Sequence, residues 1–151
     1  MTNYIAKISI DEKSLIRSEK NKNARERAVT DLLDTSNFEL KSSSGPYFLH
    51  VSIVENKLAI TVSADEGTIE NIAIPLSPLR RVIKDYHIIC ESYYDAVKVA
   101  DPRRVEAIDM GRRGVHNEGS EIIEDLIGDK VIMDFETLRK LFSLIYVLQI
   151  K

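Results

Sequence analysis

The chain has one cysteine, Cys90, among 151 residues, so no internal disulfide can form. A lone thiol fits a reducing compartment. Histidine is scarce as well. His50, His87 and His116 are the only three, which leaves few nitrogen ligands for a metal. No basic excess is present: the net charge is -3. Between Arg80 and Glu118, eight Lys/Arg face seven Asp/Glu. A protein that grips the phosphate backbone in bulk usually carries a basic excess, so nucleic acid is a poor partner class. Long apolar runs are missing too. The longest, Leu141 to Ile150, is broken by Ser143 and Gln149 and is far too short to span a bilayer. Residues 1–11 have neither the apolar core nor the cleavage pattern of a signal peptide. These absences exclude membrane insertion and predict a cytoplasmic protein. No repeat and no linker divides the chain.

What is present is ordinary globular material. Hydrophobic residues make up 44% and charged residues 30%, enough to fold without a metal or disulfide. At this length one domain over residues 1–151 is expected, burying roughly 70% of its unfolded surface.

Hydrophobic period sets the elements. Tyr4, Ala6, Ile8 and Ile10 alternate with Ile5, Lys7 and Ser9, which predicts a strand. Polar residues 17–23 predict a loop. Ala24, Ala28, Val29, Leu32 and Leu33 recur at helical spacing up to Asp34. Lys41 to Pro46 is a break. Three strands follow, Tyr47–Val54, Leu58–Ala64 and Ile69–Leu76. Their turns are Glu55-Asn56-Lys57 and Asp65-Glu66-Gly67-Thr68. Such short connections predict antiparallel neighbours. Ser77 as N-cap and Pro78 as first helical residue open a helix over 78–99. Its apolar stripe is Leu79, Val82, Ile83, Tyr86, Ile89, Cys90, Tyr93 and Val97. Asp101-Pro102 starts a second helix. Ser120 is read as the cap of a third, stopped by Gly128. Val131–Met133 reads as a short strand, and Asp134 caps a last helix over 135–149. Strands first and helices later predict an α+β fold. An antiparallel sheet of about four strands in the N-terminal half is covered by helices, mainly from the C-terminal half.

Residues 108–121 hold the densest chemistry: two arginines, a histidine and three acids among three glycines. On one helix Asp109 and Arg113 share a face, as do Arg112 and His116. Each glycine inside a helix costs about 1 kcal/mol against alanine. Gly111 and Gly114 therefore need a reason. Close packing on the preceding helix is one. A loop whose free amides lead an anion to a helix start at Ser120 is the other. The spacing fits neither a Walker loop nor a dinucleotide fingerprint. A turn with local ion pairs is the plainer reading, and a ligand or partner site the sharper one.

His116 with Glu118 can form an acid–base pair, but their spacing with Glu121 is not that of a helical metal site. Arg80, Arg81 and Lys84 crowd the first turns of the long helix, where the dipole prefers acids. They make sense if they meet an acidic partner, or Asp109 and Glu118 across the fold. Cys90, on the apolar stripe, reads as a structural thiol. The last helix has almost no polar face, so it is either central core or a homodimer contact.

Four strings carry a resemblance: Leu76-Ser-Pro-Leu-Arg-Arg-Val-Ile-Lys-Asp-Tyr86, Ile108 to Glu121, Gly45-Pro-Tyr-Phe-Leu-His50, and Asp134-Phe-Glu-Thr with Arg139 to Ile145. Over nearly the whole chain, weakest before about residue 44, the sequence resembles uncharacterised protein family 0262, small alphaproteobacterial proteins. That resemblance implies a single-domain cytosolic protein with no assigned activity, cofactor or catalytic residue.

The leading expectation is a non-catalytic binding or regulatory module, without cofactor or metal. Its recognition surface would comprise Arg80, Arg81, Lys84, Asp109, Arg112, Arg113, His116 and Glu118, and its partner a protein or a small anion. One rival is an enzyme on an anionic substrate, with Arg112 and Arg113 as clamp and His116 or Glu118 as acid or base. Another is a structural homodimer built on residues 141–150.

Overall fold

The computed structural model describes residues 3–15, 21–65, 67–99 and 101–149. Loop residues 17–20, Glu66 of the second hairpin turn and Ile150 lie outside them. The elements run β1 (Ile5–Ile10), α1 (Lys22–Asp34), β2 (Phe38–Leu40), β3 (Tyr47–Val54), β4 (Lys57–Ala64), β5 (Gly67–Pro75), α2 (Arg80–Lys98), α3 (Pro102–Ile127), β6 (Val131–Met133) and α4 (Phe135–Gln149). The fold is α+β, as expected.

Four strands form one sheet in the order β1-β3-β4-β5. The β3–β4 and β4–β5 hairpins are antiparallel. Glu55 and Asn56 take the positive φ values that the first two-residue turn requires, 51° and 62°. The expectation of a wholly antiparallel sheet is corrected at its edge: β1 pairs parallel to β3. The chain between them passes through α1 and β2, and a connection that long allows a parallel return, which a tight turn does not. A second, two-stranded sheet pairs β2 antiparallel with β6. β6 was expected. β2 was not, because a three-residue strand whose partner lies some ninety residues away has no local pattern of its own.

One face of the sheet is apolar. Tyr47, Leu49, Val51, Leu58, Ile60, Val62, Ile72 and Ile74 are all buried, the alternation a half-covered sheet demands. Helices cover that face. α4 packs against α1 and α3, and α3 against α2 and β5. The apolar residues of α4, Leu138, Leu141, Phe142, Leu144 and Ile145, lie in this core. The helix is thus central. Its N-terminus is capped as expected, with Thr137 N donating to Asp134 Oδ1 at 2.9 Å.

Two further expectations need correction. Ser77 does not cap a helix. Residues 77–79 form one 3-10 turn ahead of α2, and the Ser77 hydroxyl accepts from Asn56 Nδ2 at 3.0 Å. The two helices expected across 102–127 are one helix of 26 residues. Ser120 is fully buried in its interior, and its hydroxyl donates to His116 O at 2.9 Å instead of capping.

Glycine explains why α3 is not interrupted. A Cβ at Gly119 would lie 2.2 Å from the Phe142 ring, so only glycine lets α4 approach here. A Cβ at Gly111 would meet the tip of Ile89 at 2.9 Å. At Gly119 the packing reason outweighs the helix penalty, whereas at Gly111 contact with the movable tip of Ile89 only roughly offsets it. At Gly114 nothing lies within 4 Å, and nothing in the structure explains the glycine.

Candidate functional site

The helical phase of α3 divides the charged string into separate neighbourhoods. Asp109 is the hub of the first. Its carboxylate accepts from Arg112 Nε at 3.2 Å and pairs with Arg113 Nε at 3.1 Å. The Arg112 bond favours the charged form and holds the Asp109 carboxyl below its ordinary range. Arg113 is exposed, whereas Arg112 is half-buried, its guanidinium 4.9 Å above the Tyr93 ring. That is a cation–π distance. Arg112 also lies close enough to the Tyr86 phenol for the two to interact electrostatically.

Glu118 belongs to a second neighbourhood, on the surface between α2 and α3. It pairs with Arg81, which also reaches Asp85 at 3.0 Å. Of the three cations expected to face acids across the fold, only Arg81 does so, pairing with Glu118, whereas Asp109 is taken up within its own helix by Arg112 and Arg113. Arg80 and Lys84 point elsewhere, into a separate cavity on the other flank of α2.

His116 makes up the third neighbourhood and is buried. Phe142 and Tyr86 stand edge-on to its ring, with centroids 5.0 and 5.3 Å away. Arg139 Nε donates to Nδ1 at 3.4 Å, which leaves the proton on Nε2 facing Ser143 Oγ at 2.8 Å. Burial, then the positive charges of Arg139 and Arg112, push its pKa down to about 4. The ring is thus neutral near pH 7, with both nitrogens engaged.

The eight expected residues do not share one surface. Arg112 alone opens onto the cleft that the expected set did not include. A cavity of about 460 Å³ lies among α1, α2, α3 and α4. Its walls include Tyr86, Cys90, Tyr93 and Tyr94 from α2, Arg112 from α3, and Ser143, Tyr146 and Val147 from α4. Arg27 and Asp31 of α1 line its remaining side. Four of the chain's six tyrosines thus converge here. Tyr86 and Tyr146 stand perpendicular, centroids 4.8 Å apart, the edge-to-face arrangement aromatic rings prefer.

The cleft's titration is set by burial. Tyr86 is pushed up to about 12, first by burial and then by the adjacent Cys90. Burial likewise raises Tyr146 and Cys90. Both phenols and the thiol stay protonated near pH 7. Cys90 is accordingly a poor nucleophile, in line with its structural reading. The Tyr146 hydroxyl lies 2.8 Å from His87 Nδ1, and His87 Nε2 lies 3.1 Å from Glu91.

Tyr93-Tyr94 and Tyr146 were the available sequence signal for this cleft, but nothing local ties residue 146 to residue 93. Among the described residues, no group of three or more His, Cys, Asp or Glu could hold a metal ion, and no helix is long and apolar enough to cross a membrane.

Comparison with known proteins adds a family. Residues 2–151 match the family described as uncharacterised protein family UPF0262. A UPF0262 protein of Methylobacterium radiotolerans is 43% identical over 152 residues, covering 99% of this chain and 94% of its own. One from Azorhizobium caulinodans is 42% identical, with 99% and 95% covered. Another, from Rhizobium etli, is 47% identical over 123 residues, 80% of this chain and 78% of its own. No solved structure matches significantly.

Proposed function

The chain belongs to the uncharacterised protein family UPF0262, and we propose that it is a non-catalytic binding module whose recognition site is the tyrosine cleft. The carrying observation is the convergence of four tyrosines, Arg112 and Ser143 on one cavity. Tyrosine supplies large rigid contact area with a polar tip and loses little side-chain entropy on binding. An arginine already laid over Tyr93 is held ready for an oxygen acceptor. The fitting ligand is a small flat molecule carrying a carboxylate or similar acceptor group.

A catalytic reading has less support. His116 has both nitrogens engaged, and Glu118 is turned to Arg81. A cytosolic setting belongs to the same proposal, resting on the lone cysteine. Within residues 141–149, a homodimer through α4 would have to use Tyr146, Val147 and Leu148, since Leu141, Phe142, Leu144 and Ile145 are spent in the core. Light scattering tests that part by itself, because a monomer excludes it.

The cleft is tested by titrating the protein with benzoate-sized aromatic carboxylates in a calorimeter. Saturable binding is expected, weakened roughly tenfold by Arg112→Ala and by Tyr94→Ala. Tyr94 is 65% exposed, so its truncation leaves the core intact. Affinity unchanged from the parent protein in both variants, or no saturable binding at all, overturns the proposal.

A further inference from the structure

The opposite flank of α2 carries a second cavity, of about 500 Å³. Arg80, Lys84 and His87 line it. At i, i+4 and i+7 they stand one above another on a single helix face. Asn56, from the β3–β4 turn, and Gln149, at the end of α4, contribute side-chain amides. Leu76 and Ile83 give it an apolar floor.

Two basic side chains stacked at the start of a helix repel each other and the positive end of the helix dipole. The first turn of α2 has no acid to offset them. Arg81 shows what relief looks like: it turns away and pairs with Asp85 and Glu118. Neither Arg80 nor Lys84 has an ion pair or hydrogen bond among the described residues. Glu91, at the far end of this row, is taken up by His87 Nε2 at 3.1 Å.

We propose that this cavity binds a compact multivalent oxyanion, a phosphoryl or polycarboxylate group. Arg80 supplies a planar fork of donors and Lys84 a point charge, a combination suited to several oxygens on one centre. Asn56 and Gln149 donate from the rim. The apolar floor keeps water from one side and strengthens each charge contact. The site shares no lining residue with the tyrosine cleft, so it stands independently of that reading.

Calorimetry of the full chain in dilute chloride buffer, titrated separately with pyrophosphate, inorganic phosphate and citrate, tests it. Saturable binding of at least one of them is expected, weakened roughly tenfold or more by Arg80→Ala with Lys84→Ala. Both side chains are exposed, so the fold is kept. Arg81→Ala, outside the cavity, should change affinity by less than about twofold. Preference for pyrophosphate identifies a phosphoryl ligand and preference for citrate a polycarboxylate, and either supports the site. Unchanged affinity in the double variant overturns it, as does the absence of saturable binding by all three up to about 10 mM.

Discussion

The two halves of α3 differ in what their residues touch. The first half, through Arg113, is mostly exposed, and its charges satisfy one another around Asp109. The second half, from His116 onward, presses into α4 so closely that Gly119 bears directly on a phenyl ring. Charge density along the sequence had joined them into one candidate. The helix separates them by rotation, leaving only Arg112 facing the cleft. Side chains adjacent in sequence point some 100° apart on a helix, so a dense charged string is seldom one site. The comparison implies that substitutions in the inner half change stability, whereas those in the outer half change binding.

Gly119→Ala offers the largest expected effect. Its added methyl overlaps a ring packed in the core, and denaturant unfolding should show a loss of about 3 kcal/mol. A loss below about 1 kcal/mol would break the division between the halves.

His116 gives the next effect, through pH. Its folded pKa of about 4 lies below the unfolded value near 6.5. Below pH 6.5 the unfolded chain takes up a proton that the folded ring refuses. Stability is therefore complete above that pH and falls as pH drops towards 4. Allowing for solvent screening, the loss is on the order of 2 kcal/mol. In His116→Gln this part of the pH profile should flatten.

Gly114→Ala and Gly111→Ala sharpen the comparison at the small end. Position 114 faces open space within a helix, so alanine should stabilise by roughly 0.5–1 kcal/mol. At position 111 the same gain is opposed by contact with the movable tip of Ile89, and melting should shift little. Equal destabilisation at 111, 114 and 119 would contradict the packing account.

Much of the fold could be read from local pattern. The β3–β4–β5 hairpins, α2, β6 and the Asp134 cap all followed from period and turn chemistry. Long-range pairing could not be read that way. The parallel place of β1 depends on the path of the intervening chain, and β2 depends on β6. Ser120 misled because a serine before an apolar run reads the same whether it starts a helix or bonds back to His116 within one. The charged residues of the site were legible as types, and the Arg81–Asp85 and Asp109–Arg113 pairs follow from i, i+4 spacing. The tyrosine cleft was not legible, because its walls come from four helices and only tertiary packing brings Tyr146 to Tyr86.

The central claim is that this cleft takes a ligand. The chain has no tryptophan and six tyrosines, four of them in the cleft, so a ring-labelled tyrosine NMR titration reads it directly. Addition of an aromatic carboxylate should shift Tyr86, Tyr93, Tyr94 and Tyr146 along one saturating curve and leave the buried Tyr47 still. Shifts confined to Tyr4 or Tyr47, or no saturable shift at any of the four, would contradict the account.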